Sequence, residues 1–187
     1  MKPFFMFIVI VSSLSLTAQK PCEYATNVTD SIGVYKSTKN YLMYERNFGG
    51  TESYLYFSLA LTDGLPTLNT QFLKKSKDFI KADCFDRNSR IYLQLENGKI
   101  VTLLHIDSQD CGTGVRNEGI NNRVLSGFFL FPKESIEELK KSPVYLIRIK
   151  YTTETQDYIM KSELKSELDG QTYNASQYFI DTLPCLD

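Results

Sequence analysis

Two cysteines, Cys84 and Cys111, lie at equal distances on either side of the pair Asn97-Gly98. An Asn-Gly pair between alternating apolar segments is a strong signal for a β-hairpin with a two-residue type I′ turn, because both residues accept a positive φ. In that hairpin the two cysteines lie directly opposite each other, near the Cα separation of about 5.5 Å of a hydrogen-bonded pair. The spacing therefore predicts a disulfide rather than a catalytic thiol or a zinc ligand.

The same register assigns every other residue of this hairpin to a face. Ile91, Leu93 and Leu95 are predicted to lie opposite Leu104, Thr102 and Ile100 on the core face. Glu96 is predicted to pair with Lys99 beside the turn, and His105 with Arg90 on the opposite face.

The two remaining cysteines, Cys22 and Cys185, are left to pair with each other. Four cysteines allow three pairings, and the hairpin register selects this one. Two disulfides imply an oxidising compartment.

The first eighteen residues predict a cleaved secretory signal peptide. Lys2 precedes an apolar segment from Phe4 to Leu16, and Thr17-Ala18 provides small residues for cleavage. The apolar segment is shorter than the roughly 20 residues that span a bilayer, so no membrane span is expected. Gln19-Lys20-Pro21 before Cys22 does not resemble the small-residue segment before a lipid-anchored cysteine. The sequence predicts an exported protein of the periplasm, the cell surface or the medium.

Residues 19–187 have the length of one domain, since a domain commonly contains about 100–200 residues. The signal peptide contains one lysine and no acidic residue, so 20 basic and 22 acidic side chains remain. Because this balance gives no basic surface, we expect no nucleic-acid partner. One disulfide-stapled, β-rich domain is predicted.

A second hairpin is predicted around Asp63-Gly64, which separates two apolar segments within residues 51–73. A two-residue turn there places Leu59 opposite Leu68 and Leu55 opposite Phe72. Pro66 then lies opposite Leu61 and marks a local sheet edge. A four-residue loop that includes Pro66 is the alternative.

A third hairpin is predicted between residues 144–151 and 156–161, through a loop at 152–155. Its register places Ile149 opposite Tyr158, Ile147 opposite Met160 and Lys150 opposite Asp157. Residues 124–131 read as one more strand, residues 34–36 and 41–46 as weaker ones, and residues 112–122 as a glycine-rich loop.

Helix is scarce in this sequence. Ser135-Ile136-Glu137-Glu138 fits a capping box that opens a short helix before Pro143. A C-terminal helix is predicted from residue 174, with Tyr178, Phe179 and Leu183 facing inward. Residues 158–168 fit both a strand and a helical face, so a strand is predicted only through Lys161. The expected fold is mainly β (α+β), an antiparallel sandwich or partly open barrel of seven or more strands with these two helices.

Seven short segments along the mature chain carry a resemblance to a known family. They are Tyr35-Lys36-Ser37-Thr38, Tyr44-Glu45-Arg46-Asn47-Phe48, Lys77-Asp78-Phe79-Ile80-Lys81, Cys84-Phe85-Asp86, Ile91-Tyr92-Leu93-Gln94-Leu95, Asp110-Cys111-Gly112, and Tyr178-Phe179-Ile180 with Cys185. With them the chain resembles a family of small, uncharacterised secreted proteins from Gram-negative bacteria. The resemblance implies secretion and one domain, and it implies no activity, cofactor or partner.

The sequence shows no recognisable catalytic or cofactor site. His105 is the only histidine, so a Ser-His-Asp or Cys-His site would have to use it, yet there is no Gly-x-Ser-x-Gly segment. No closely spaced Cys or His pair suggests zinc. The glycines of residues 112–117 precede no helical pattern, which a phosphate-binding loop requires. We expect no catalytic residue, metal or cofactor, and a structural or merely exposed His105.

Tyr54, Tyr56 and Tyr92 form a candidate ligand surface, because an exposed aromatic strip on one sheet face suits a protein, peptide or glycan partner. Packing beneath the C-terminal helix or a neighbouring strand is the simpler alternative, and half-buried strands are rich in tyrosine. The sequence favours a non-enzymatic binding or envelope accessory module. The alternative is a secreted hydrolase with an unrecognised active site, which a cleft joining His105 to Asp107 or another carboxylate would support.

Overall fold

The computed structural model describes residues 21–31 and 33–187. The predicted signal peptide, residues 1–18, lies outside the described residues. The strands in the described residues are β1 (Tyr24–Thr29), β2 (Val34–Thr38), β3 (Tyr41–Phe48), β4 (Thr51–Thr62), β5 (Leu65–Ser76), β6 (Arg90–Leu95), β7 (Ile100–His105), β8 (Thr113–Asn117), β9 (Ile120–Leu130), β10 (Val144–Lys150), β11 (Thr155–Ile159), β12 (Leu164–Lys165) and β13 (Thr172–Tyr173). The helices are α1 (Ser135–Leu139) and α2 (Tyr178–Thr182), and 3₁₀ turns at Ala175–Gln177 and Leu183–Leu186 flank α2.

Eleven of these strands form one antiparallel sheet, and nine of them follow one another in the order β1-β2-β4-β5-β9-β7-β6-β10-β11. β3 also pairs with β4 and β8 with β9, while β12 and β13 form a separate small hairpin. The sheet curls until Tyr44 of β3 touches Tyr158 of β11, with ring centroids 5.1 Å apart. No ladder joins these two strands in the described chain, so the sheet is not closed. The mainly β prediction is confirmed, and this curled sheet fits its partly open barrel form.

The C-terminal helical segment fills the inside of the curled sheet. Tyr178, Phe179 and Leu183 are each 1% exposed and belong to the main core cluster, as predicted. Both aromatic rings of α2 contact Phe57 of β4 at centroid distances of 6.1 Å. Since fully burying a large apolar side chain is worth about 1.5–3 kcal/mol, this short segment contributes to the stability of the whole domain.

The hairpin of β4 and β5 has the predicted register from end to end, with Leu59 opposite Leu68 and Leu55 opposite Phe72. Asp63 and Gly64 have φ values of 48° and 82°, as a type I′ turn requires. Pro66 lies opposite Leu61, and the pairing of β5 with β9 begins only at Thr67. The predicted sheet edge at Pro66 is therefore confirmed.

The predicted register of the β6–β7 hairpin is wrong by one residue. Arg90 lies opposite Leu104, and Gln94 lies opposite Ile100. Only Gly98 of the turn has a positive φ, which gives a three-residue loop instead of a type I′ turn. The cause is contact with a distant segment, because the Glu96 N–H donates to the Pro143 carbonyl and the Asn97 N–H donates to the Ser142 hydroxyl.

This shift exchanges the faces of β7. Val101, Leu103 and His105 point into the core, whereas Ile100 and Leu104 are exposed. Lys99 forms its ion pair with Glu138 of α1, at 2.6 Å, instead of with Glu96.

Both predicted disulfides are present, Cys84–Cys111 and Cys22–Cys185. One extra residue between β7 and Asp110 compensates for the shifted turn, so that Phe85 and Asp110 exchange both backbone hydrogen bonds. Cys84 and Cys111 are therefore a non-hydrogen-bonded pair rather than the hydrogen-bonded pair expected. Their Cα atoms are 4.0 Å apart, shorter than predicted.

The predicted register of β10 and β11 is wrong by two residues, which leaves the faces unchanged. Ile147 lies opposite Tyr158, and Asp157 pairs with Arg148 instead of Lys150. Both Arg148–Asp157 hydrogen bonds measure 2.7 Å. The loop begins at Tyr151 because the N–H and hydroxyl of Thr152 both donate to the Cys84 carbonyl.

Three smaller expectations also differ from the structure, and one strand of the structure was not expected. Residues 112–122, predicted as a loop, form β8, a turn and the start of β9, and the turn uses positive φ at Glu118 and Gly119. β1 was not predicted. Ser135 begins α1 instead of capping it, since its hydroxyl donates to the Pro132 carbonyl at 2.6 Å. β11 ends at Ile159 rather than Lys161.

Within residues 21–31 and 33–187, no helix is both long and apolar enough to cross a bilayer.

Candidate functional site

A cavity of about 390 Å³ opens at one end of the curled sheet, between the unpaired edges of β3 and β11. We call it the mouth. Its lining residues are Tyr44, Arg46, Ser53, Tyr54, Phe72, Lys74, Gln156, Asp157 and Tyr158. The set is mixed in character, with aromatic rings, charged groups and amide or hydroxyl groups.

Lys74 and Gln156 reach the mouth because they occupy inward positions of their strands. Lys74 follows Phe72 at the strand period of two and so points to the same side of β5. Gln156 lies opposite Ile149, a core residue of β10. A polar residue at an inward position is the sequence signal that could have identified this site.

A chain of hydrogen bonds leads from the mouth into the core. The Tyr151 and Tyr158 hydroxyls are 3.0 Å apart, and Tyr158 donates to Gln156 Oε1 at 2.8 Å. Gln156 Nε2 donates in turn to Glu154. Burial raises the pKa of both tyrosines, so their hydroxyls stay protonated at neutral pH and act as donors.

Two carboxylates in this region are each paired with a lysine. Asp83 is only 9% exposed and lies 2.6 Å from Lys74 Nζ, and Glu154 lies 3.5 Å from Lys81 Nζ. The hydrogen bond from Gln156 lowers the pKa of Glu154 and burial opposes this, while the neighbouring Asp83 carboxyl group, by hydrogen bonding, and Lys81 lower the pKa of Glu154 further. Glu154 is therefore a stable negative charge at neutral pH.

Arg46 is the cation of the mouth that lacks an anionic partner among the described residues. Its guanidinium lies 4.7 Å from the centre of the Phe48 ring, a cation–π contact, and its side chain is exposed. In contrast, Lys74 forms an ion pair with Asp83, and Asp157 forms one with Arg148. The mouth therefore offers one uncompensated positive charge.

His105, predicted as structural or merely exposed, is buried in the aromatic core and is 6% exposed. Its ring lies between Phe85 and Phe129, at centroid distances of 5.3 Å and 5.1 Å. Nδ1 is 3.0 Å from the Asp86 carbonyl, which can only accept, so Nδ1 carries the hydrogen. His105 thus has a structural role here, at a site different from the one the predicted register gave it.

His105 is expected to make stability depend on pH. Burial lowers its pKa below the ordinary 6.5, so below that pH the unfolded chain binds a proton that the folded chain does not. The urea concentration at the midpoint of unfolding should decrease when the pH is lowered from 7.5 to 5.5. It should fall less in His105→Asn, which keeps a donor near the Asp86 carbonyl but does not titrate. An equal fall in both proteins would assign the pH dependence to other groups.

Of the three tyrosines of the candidate ligand surface, Tyr54 and Tyr56 lie together, and Tyr92 lies on a distant part of the sheet. Tyr54 and Tyr56 stack with centroids 6.4 Å apart and pack with Leu42, Leu164 and Tyr173 beneath the β12–β13 hairpin. Tyr92 lies on β6, and β5, β9 and β7 separate it from β4. It lines a shallow depression of about 590 Å³ together with Gln94, Ile100, Arg148, Lys150, Thr155 and Asp157. Binding by these three side chains stays a prediction.

Among the described residues, no group of three His, Cys, Asp or Glu side chains is arranged to hold a metal ion. Comparison of the chain with protein-family models, with curated proteins and with solved structures finds no match.

Proposed function

We propose that the protein is a non-enzymatic binding module, exported as its resemblance to secreted bacterial proteins implies, and that the mouth receives an extended peptide segment of a partner. One observation carries this proposal: two strand edges border the cavity, and among the described strands neither is paired on that side. An extended segment gains affinity by adding main-chain hydrogen bonds to such an edge, and nearby pockets select its side chains.

The charges of the mouth indicate what the segment carries. Arg46 has no ion pair with any described residue, and a guanidinium binds a carboxylate in two parallel hydrogen bonds. The Tyr44 and Tyr158 rings beside it provide apolar contact. We therefore expect a peptide with an acidic side chain or a free C-terminal carboxylate.

The same charges favour binding over the hydrolase alternative. A carboxyl group that serves as a general acid near neutral pH needs a raised pKa. The pKa of Glu154 is lowered, and both Glu154 and Asp83 are paired with lysines. His105 is buried in the core, and its Nδ1–H donates to the Asp86 carbonyl.

The test is a selection from a peptide display library with free C-termini on the mature protein with both disulfides. The enriched peptides should contain a carboxylate and should bind Arg46→Gln at least tenfold more weakly than the wild type. Arg116→Gln is the matched control, because Arg116 is exposed on β8 and does not line the mouth. It should change the affinity less than twofold.

Equal affinity of the selected peptides for the wild type and Arg46→Gln would overturn the assignment of the mouth. Incubation of the protein with a glycan array tests whether the partner is a carbohydrate instead of a peptide. Binding of glycans with no enrichment of peptides would replace the peptide proposal with a carbohydrate partner.

A further inference from the structure

A second cavity, of about 320 Å³, lies beside the Cys22–Cys185 disulfide. The start of β3, the strand β13 and the C-terminal helical segment meet there. Six of its lining residues matter for its chemistry, namely Tyr41, Tyr173, Tyr178, Glu23, Lys39 and Asp181. Its volume is within the range of sites for small ligands, about 300–1,000 Å³.

Three tyrosine rings form the aromatic part of this cavity. The Tyr41 ring contacts Tyr173 edge-on and Tyr178 at a tilt, and both centroid distances are 5.1 Å. The face of an aromatic ring carries partial negative charge, so a group of tyrosines attracts a cation.

Hydrogen bonds hold two of these rings in place before any ligand arrives. The Tyr41 hydroxyl accepts from the Asn174 N–H at 2.8 Å, and the Tyr173 hydroxyl donates to Asp169 at 2.6 Å. A preformed site loses less conformational freedom on binding. The Tyr41 and Tyr173 rings are therefore preorganised for ligand binding.

The third ring contributes an unused polar group. Tyr178 is 1% exposed, and its hydroxyl has no hydrogen-bond partner among the described residues. Burial raises the pKa of Tyr178, so its hydroxyl stays protonated at neutral pH. An unsatisfied buried hydroxyl is uncommon in folded proteins, and it can bind a polar atom that enters the cavity.

The charged groups of the cavity leave one carboxylate uncompensated. Glu23 and Lys39 neutralise each other at 3.2 Å. Asp181 has no hydrogen bond or ion pair within the described chain, and its negative charge adds to the pKa rise that burial causes at Tyr41. Asp181 and the Tyr41 ring line the same cavity, so a cation bound there can face both.

We propose that this cavity binds a small organic cation of the alkylammonium class, with the charged group over the tyrosine rings and its charge balanced by Asp181. A quaternary or methylated ammonium fits because it is cationic yet weakly hydrated, and aromatic groups recognise such ions. This site is separate from the mouth and independent of the peptide proposal.

Choline chloride and its neutral isostere 3,3-dimethyl-1-butanol test the proposal by calorimetric titration of the mature, disulfide-bonded protein. The two probes have similar shapes, and only choline carries a charge. Choline should bind in a one-to-one complex, and the neutral isostere should bind at least tenfold more weakly. Equal affinity for the two probes, or no choline binding up to about 50 mM, would overturn the proposal.

Two variants locate the site. Asp181→Asn removes the charge from an exposed position and should weaken choline binding at least fivefold. Tyr173→Leu removes one ring face from the small β12–β13 hairpin and should weaken it about tenfold. Asp78→Asn makes the same charge change at an exposed residue outside the cavity and should have no effect. Unchanged binding by Asp181→Asn and Tyr173→Leu, with melting curves like the wild type, would place choline elsewhere.

Discussion

The double variant Cys22→Ser, Cys185→Ser is expected to melt well below the wild-type protein, because the bond closes a loop over a sequence separation of 163 residues. In the chain-entropy model a loop of this length stabilises the folded state by roughly 5 kcal/mol, before any strain in the native state is subtracted. For a domain of this size that corresponds to a fall in melting temperature of roughly 10–20 °C. Circular dichroism melts of both proteins measure the difference.

Limited proteolysis of the double variant identifies the segment that loses its protection when the disulfide is removed. Besides the disulfide, the Tyr24 hydroxyl donates to the Cys185 carbonyl at 2.7 Å, so the bond joins β1 to the end of the chain. Without it, residues 174–187 should be cut before the strands of the sheet, because the disulfide no longer holds the end of the chain. Cys84→Ser, Cys111→Ser is the comparison, since its shorter loop gives roughly 3.6 kcal/mol in the same model. Unchanged melting, with residues 174–187 still protected, would show that Cys22 and Cys185 are not joined in the native protein.

The three hairpins show which parts of this fold could be predicted from the sequence. The β4–β5 register is correct over its whole length because the Asp63-Gly64 turn makes the type I′ geometry that its own two residues prefer. In β6–β7 the turn bonds to Ser142 and Pro143, far along the chain, and these contacts replace the locally preferred turn. In β10–β11 the loop is tied to Cys84. Local preferences predict register only where no distant group competes for the turn.

The Cys84–Cys111 pairing was predicted correctly although the strand register used to derive it was wrong. The three-residue loop moves the pairing by one position, and the extra residue before Asp110 moves it back. The sequence contains no signal for this compensation, because an irregular segment between two strands has no periodicity to read. The exchange of faces at His105 follows from the one-residue shift at the turn, because His105 precedes the segment that restores the register.

The mouth could not be assembled from the sequence because its groups come from distant segments. Arg46, Lys74, Asp83 and Tyr158 meet only when β3 and β11 approach across the open side of the sheet. The inward position of Lys74 was visible in the period-two pattern of β5, yet its partner Asp83 lies in a segment without regular structure. Alternation assigns faces within one strand, and only the curl of the sheet brings the strands together.

Replacing Phe85 with alanine is expected to destabilise the protein by about 3–5 kcal/mol, which is typical for a fully buried aromatic residue. Phe85 is 0% exposed, and its ring contacts Phe129, His105 and Tyr151, each at a centroid distance of 5.3 Å. Urea unfolding measures the change in the free energy of unfolding. Phe79→Ala is the matched control, since Phe79 is 86% exposed, and it should change that free energy by less than about 0.5 kcal/mol.

A second substitution tests whether the space around this ring causes the effect. A Cβ atom added at Gly127 would lie 2.8 Å from two carbon atoms of the Phe85 ring, closer than packed atoms allow. Gly127→Ala should therefore cost about 1–3 kcal/mol in the wild type through overpacking. In Phe85→Ala the same change should cost much less, because the added methyl group enters the vacated space, and the two substitutions are then strongly coupled. Additive effects would mean that the Phe85 ring does not occupy the space next to Gly127, and the aromatic core would have to be packed differently.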